Sequence, residues 1–357
     1  MRDNVISLWD KASCIDPTVR LKKKDIPALL KKRIRAASYS RARLFSRMAE
    51  GQVSLFNNFS VPIRASSTRN KLGCLLHGID ASFSASRLAE IQAGPSSRRY
   101  KLSVPELVKR WKRGRAIISV TDLHFRGTHF EAVVNTSRLS DFNILCRDPK
   151  VGAELRDQIE MMTLVISSEG NLTDNHTDDC DGSNHCFVGK KLWLAWDRME
   201  GRARGFEDVD RDCVFDTAAF DIEEFTSMPS SRWFTVNENE TLFLPGSLTH
   251  KVITLEPYIG IGSFHVALPS YIRSLKRWIL YDTLDIGPKK LIEKINQAVV
   301  RRILRLQNTK PRRKEHWGVR EMKRSIELWN KSESKQMKES LLRNPLFASF
   351  HRIAAKA

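Results

Sequence analysis

The chain has 357 residues and a mass of 41.0 kDa, with 41% hydrophobic residues and 60 Lys+Arg against 41 Asp+Glu, a net charge of +19. That apolar fraction is enough for a packed core and excludes wholesale disorder, and no window holds the roughly 18 uninterrupted apolar residues of a membrane helix. The opening MRDNVISLWDKASC carries acids and no apolar run, and the six cysteines (14, 74, 146, 180, 186, 213) stand singly without a CxxC, so the expectation is a soluble intracellular chain with reduced thiols.

Charge changes sign along the chain. Residues 1–120 carry +17, residues 121–270 carry −12 and residues 271–357 carry +14. Two basic ends thus flank an acidic middle, which points to nucleic-acid contact at the ends, because Lys and Arg displace condensed counterions from phosphate. The clusters Lys22–Lys24, Lys31–Arg33 with Arg35, and Arg312–Lys314 have the density of nuclear-import signals. A nuclear location is the expectation, although any one cluster is equally an ordinary solvated helix face.

In chain order, residues 1–50 read as one or two basic helices, and residues 57–100, rich in Ser, Gly and Arg, as irregular covering structure. Ser103-Val-Pro-Glu106 has capping-box spacing and opens a predicted helix that ends at Gly114. Short β-like runs follow at Ile117–Thr121, Met161–Ser167, Leu192–Trp196, Trp233–Val236, Thr241–Leu244, Lys251–Leu255 and Ile259–Ala267. They are β-branched or aromatic, without long helices between them, and predict an antiparallel sandwich or barrel. After Pro269 the apolar period becomes three and four: Leu291, Ile295, Ala298, Val299, Ile303 and Leu306 predict one helix, and residues 318–343 another. The organisation expected is mainly β with helical flanks: a basic helical or irregular region over 1–100, a β domain over 101–285 and a basic helical region over 286–357.

The segment that carries chemistry is Thr173-Asp-Asn-His176-Thr-Asp178. Two residues apart on an extended chain, His176 and Asp178 point to one face and can grip a metal ion from one side. His250, at the head of a later β run, supplies a third ligand. Two imidazoles and a carboxylate on one face leave open positions opposite, the facial triad of non-haem Fe(II) oxygenases. Gly189-Lys190-Lys191-Leu-Trp193 then puts a lysine at the entrance of an apolar strand, where a buried cation needs an anion to meet.

Thr173-x-x-His176-x-Asp178, Gly189-Lys190-x-x-Trp193-Leu194, Thr241-Leu-Phe-x-Pro245, His250-x-Val252-x-Thr254 and Gly262-x-Phe264-His265 occur here in that order. Together they resemble the JmjC-domain Fe(II)/2-oxoglutarate-dependent oxygenases, in particular the F-box/PHD-linked lysine demethylase branch, over roughly residues 100–285. The resemblance implies a double-stranded β-helix (cupin-like jelly roll) core, iron on His176, Asp178 and His250, and Thr173 and Lys190 on the 2-oxoglutarate carboxylate. Lys190 is preferred to Lys191 because it follows the glycine as in the family. With O2, such a dioxygenase converts 2-oxoglutarate to succinate and CO2 and hydroxylates a C–H bond; on an N-methyl group the product sheds formaldehyde. The implied partner is a basic peptide such as a methylated histone tail, which an acidic middle would suit. The chain departs from the family after Asp178, reading Asp179-Cys-Asp-Gly-Ser-Asn-His185 where that branch usually has Gly-Gly-Thr/Ser, and this segment lines the substrate mouth in the family. Two other readings follow: a protein or RNA hydroxylase with the same iron chemistry, or an inactive chromatin- or DNA-binding member. Cys180, His185 and Cys186 lack the short C-x2–4-C pair of structural zinc and read as loop residues, and Trp193, Trp196 and Trp233 read as core.

Overall fold

Two long strands, each buried on both faces, organise the chain. The computed structural model describes residues 2–64, 70–84, 87–92, 99–114, 117–144, 146, 162–178, 180–206, 220–246, 248–281 and 289–357. Among these residues ten strands form a single antiparallel sheet: β1 (Ser54–Phe56), β2 (Leu88–Gln92), β3 (Arg99–Ser103), β4 (Ser119–His124), β5 (Thr163–Ser167), β6 (Leu172–Thr177), β7 (Asp181–Asp197), β8 (Arg232–Val236), β9 (Thr241–Leu244) and β10 (Leu248–His265). Among the described residues fifteen α-helices accompany them, and helix outweighs strand. The chain is therefore mixed rather than mainly β, with a β-rich centre.

β7 and β10 pair antiparallel from Leu248 opposite Asp197 to His265 opposite Asp181, with register shifts between Thr254 and Gly260. At this irregularity Gly189 has φ +91°, and a Cβ there would sit 2.1 Å from the Pro257 carbonyl oxygen. Only glycine fits the turn that bends the long pair. On one side of the bend β10 also pairs with β6, and β7 with β8. On the other side β10 pairs with β5, which leads through β4 to β2 and β3, while β7 pairs with β9 and β9 with β1. The sheet thus has two portions that share the two long strands.

Side-chain alternation sorts the cores. Leu192, Leu194 and Trp196 of β7 lie in one core with Val5, Trp9 and Ala12 of the N-terminal helix Arg2–Ile15, while Trp193 and Ala195 join Val165, Phe234, Leu242 and Val252 in another. The first covers the outer face of the β6–β8 portion, and the second lies inside. The C-terminal helices Tyr271–Tyr281, Lys289–Gln307, Val319–Ser332, Lys335–Arg343 and Pro345–Ala355 bury their own core, which also takes in Cys180, Val266 and Leu268.

The helix expected after Ser103 spans Val104–Arg113 and is capped by Gly114. β9 coincides with the predicted run Thr241–Leu244. The runs at 251–255 and 259–267 are one continuous strand, β10, because the glycine opposite lets the ladder bend instead of ending. Met161, the first residue of a predicted run, lies outside the described residues. Residues 57–100 are not simply irregular: Asn70 caps the helix Lys71–Ser82, and β2 pairs with β3 in a hairpin. The short polar–apolar alternation of Leu88-Ala-Glu-Ile-Gln92 is hidden in sequence by the Ser/Arg-rich stretch beside it. β1, β2 and β3 tie residues 54–103 into the same sheet as the residues beyond 119. No helix among the described residues is long and apolar enough to cross a membrane.

Candidate metal centre

β6 and β10 run antiparallel with His176 directly opposite His250. This pairing brings together two imidazoles that are 74 positions apart in the sequence, with ring centroids 4.0 Å apart. Asp178, just beyond the end of β6, reaches the same point, its Oδ2 lying 3.8 Å from His250 Nε2. One ligand atom from each of the three lies within 4.8 Å of the others.

The backbone orients the rings. His176 Nδ1 is 2.7 Å from the Asp174 carbonyl oxygen, and His250 Nδ1 is 3.4 Å from that of Leu248. An Nδ1–H donated to these carbonyls directs each Nε2 toward the site, the usual outer support of a metal-bound histidine. The His250 ring also stacks on Trp193 at 5.2 Å and 22°. Behind the ligands, Thr177 Oγ1 and Thr249 Oγ1 share a hydrogen bond of 2.9 Å that pins β6 to β10. Burial, and then the neighbouring His176, hold His250 well below the usual imidazole range, so it is neutral. Burial raises the Asp178 carboxyl, against the pull of His176 and Arg277. Two imidazole nitrogens and a carboxyl that loses solvation without gaining a full countercharge form a donor set suited to a divalent cation.

These residues open on a cavity of about 320 Å³ between the two sheet portions. One wall carries Thr173, His176, Lys191, Trp193, His250 and Val252; the facing wall includes Thr163, Val165, Asn184, Leu242 and Phe264. Ligand pockets run from roughly 300 to 1,000 Å³, so this one suits a small organic acid beside a metal.

The structure brings Thr173, His176, Asp178 and His250 to this cavity and leaves Lys190 outside it. Lys190 Nζ pairs with Glu256 at 2.6 Å, and its side chain is 32% exposed. Lys191 takes the inner position: it is 3% exposed and lies 4.4 Å from the Tyr258 ring centroid. The reason is parity. Lys191 shares the inward face of β7 with Trp193, and Lys190 falls on the other face with Leu192. Both faces of this strand are covered by protein, so no polar–apolar alternation marks the inner one in the sequence. Burial pushes the Lys191 ammonium down to about 8, and the Cys186 thiol nearby acts in the opposite direction. Tyr258, whose ring lies under Lys191, donates its hydroxyl to Asn184.

The cysteines form no second centre among the described residues. His185 Nδ1 hydrogen-bonds Thr241 Oγ1 at 2.7 Å, whereas Cys186 Sγ faces the Val188 and Gly189 carbonyls. His265, in the final motif, bonds Ser183 Oγ at 2.9 Å and is held neutral by burial, at about 3. Both histidines are buried core residues, each held by one neighbouring hydroxyl. Arg277, which the sequence reading did not single out, donates from Nη1 to the carbonyls of Asp178 and Gly246, one on each loop beside the site.

No protein-family model matches the chain, and no curated protein is significantly similar to it.

Proposed function

We propose that the chain is an Fe(II)- and 2-oxoglutarate-dependent dioxygenase of the double-stranded β-helix type. The observation that carries the reading is the convergence of His176, Asp178 and His250 in a cavity whose wall also holds the buried cation Lys191. Two sheet portions facing each other across that cavity and sharing β7 and β10 support the fold assignment.

In this reading His176, Asp178 and His250 would hold the metal. Lys191 holds the distal carboxylate of 2-oxoglutarate, with Thr173 as a neutral donor from the same wall. Trp193, Leu242, Leu244 and Val252 exclude water around them. Fe(II) with 2-oxoglutarate and O2 supplies the oxidation: the oxo acid loses CO2 to become succinate, and a substrate C–H bond gains oxygen. The substrate class proposed is N-methyl lysine in a basic peptide, which rests on the sequence resemblance. Asp221, Glu223 and Glu224, acids expected to attract such a peptide, are used internally: Asp221 caps a helix, Glu223 pairs with Lys22 and Lys24, and Glu224 with Arg204.

The experiment is succinate formation by purified protein with Fe(II), ascorbate, 2-oxoglutarate and methyl-lysine histone peptides, beside His176→Ala. Succinate in the wild type alone supports the oxygenase, and formaldehyde in the same tube supports demethylation. Succinate without formaldehyde would move the reading to hydroxylation. Absence of both, in a protein shown to bind Co(II) at the triad, would overturn it.

A further inference from the structure

The three basic clusters of the sequence have different fates in the fold. Lys22 and Lys24 pair with Glu223 at 2.5 and 3.0 Å. Lys32 donates to the Met228 carbonyl, and the Arg33 guanidinium lies 5.1 Å from the Trp233 ring centroid. Both N-terminal clusters therefore take part in holding the chain together. In the third, Arg312 and Arg313 are exposed, as is Lys310 just before them, and all three line an open groove of about 970 Å³.

Tertiary structure builds this groove from both basic ends. The helix Arg41–Glu50 packs beside Val319–Ser332, with Arg324 reaching Glu50 at 2.6 Å and Ser46 at 3.2 Å. Gly318, at φ +69°, admits the buried Phe45 ring, because a Cβ there would come within 2.7 Å of it. Arg41 then spans the junction, bonding the His316 carbonyl at 3.1 Å as well as Asp141. Arg320 is on the rim, 80% exposed, against the buried Glu321 at 2.7 Å. The lining holds five Lys and Arg residues against Glu315 and Glu321.

We propose that this groove binds the phosphate backbone of duplex DNA without reading sequence, with Lys310, Arg312 and Arg313 as the principal contacts. Guanidinium and ammonium groups on an open concave surface match phosphodiester charge and release its counterions. Phe45 is buried and the ring of His316, the groove's other aromatic, is engaged by Arg41 at 2.9 Å, so neither offers a free platform on which unstacked bases could lie, as single-strand sites require. The site is separate from the metal centre, and its test needs no turnover.

The test is fluorescence anisotropy of the full chain with a labelled mixed-sequence duplex of ~20 base pairs, in salt from about 50 to 200 mM. Three phosphate contacts give a slope of log affinity against log salt of about −3. The charge reversal K310E/R312E/R313E is expected to weaken binding at least about tenfold and flatten the slope. The control K331E/K335E/R343E changes net charge equally at exposed positions outside the groove, and is expected to cost less than about threefold. R312Q/R313Q, which introduces no acid, should give an intermediate loss with an unchanged melting curve. Equal loss in groove and control variants would overturn the proposal, as would no binding at the lowest salt, or tighter binding of the single strand, of duplex RNA or of a phosphopeptide.

Discussion

In the proposed oxygenase, Lys191 is the residue on which ligand chemistry turns. Its ammonium is buried in the cavity wall, and a carboxylate beside it would make a charge-assisted hydrogen bond in a site of low polarity. Such bonds contribute about 1.5–3 kcal/mol, so Lys191→Met should weaken 2-oxoglutarate about 10- to 150-fold by calorimetry with Co(II) in place of iron. Lys190→Ala removes only a half-exposed pair with Glu256 and should change the same affinity by less than about threefold. The reverse ranking would restore Lys190 to the site. Lys191 also sets a pH dependence. Burial lowers its pKa to about 8 in the empty protein, and the charged form is the one that holds an anion. Affinity should therefore be level below pH 8 and fall above it by up to about tenfold per unit. A Kd that stays constant from pH 7 to 9 would argue against an anion on this residue.

At the scale of elements, the ligand-bearing strands are braced from behind. Lys251, adjacent to His250 and facing the opposite way, is fully buried and pairs with Asp16 at 3.0 Å and Asp174 at 3.2 Å. Asp174 belongs to β6, and Asp16 caps the turn that follows the N-terminal helix. One ammonium thus joins three segments across the sheet face opposite the metal site. Replacing it with Met would leave two buried carboxylates uncompensated, a loss of about 3–5 kcal/mol. Denaturant unfolding of Lys251→Met should show this as a lower midpoint. A midpoint unchanged from the wild type would mean that the N-terminal segment is not held through this triad. Trp9 supports the same joint by packing edge-on against Trp233 at 5.4 Å.

Across the whole molecule, the C-terminal helices complete the site rather than merely follow it. Their core includes Cys180, two residues past Asp178, and the cavity-lining Phe264 packs against it. Arg277 of the helix Tyr271–Tyr281 holds the Asp178 and Gly246 carbonyls, and Tyr271 of the same helix bonds Asn296 at 3.0 Å, which in turn bonds the Leu346 carbonyl at 3.2 Å. The helix Tyr271–Tyr281 thus bonds the last helices through Tyr271 and the Asp178 segment through Arg277. Outer supports of metal ligands typically contribute about 10- to 100-fold in metal affinity, and Arg277→Met should weaken Co(II) by that order. The Co(II) visible spectrum separates this from simple loss of stability, because a displaced Asp178 changes the coordination bands of the folded fraction. Weaker folding with an unaltered spectrum would make Arg277 a structural residue alone.

His176 and Asp178 were legible in the sequence as candidate metal ligands because a spacing of two puts both on one face of a strand, whereas His250, 72 positions beyond Asp178, joins them only through the pairing of β6 with β10. The strand at Thr241–Leu244 and the helix ending at Gly114 were legible for the same reason: period, cap and turn are properties of neighbouring residues. The inward face of β7 was not, since protein covers both of its faces and Lys190 and Lys191 differ only in parity. The bend that joins two predicted runs into β10 was not, because it depends on a glycine far away in sequence. Nor was the meeting of Arg41 with His316, which sets the two basic ends on one groove. Sequence by itself determined the candidate pair His176 and Asp178 and those elements, such as Val104–Arg113 and Thr241–Leu244, whose caps and periods follow from short-range spacing. Tertiary structure alone decided which lysine enters the cavity and which charges stay exposed, because burial is a property of the partners that packing brings from elsewhere in the chain.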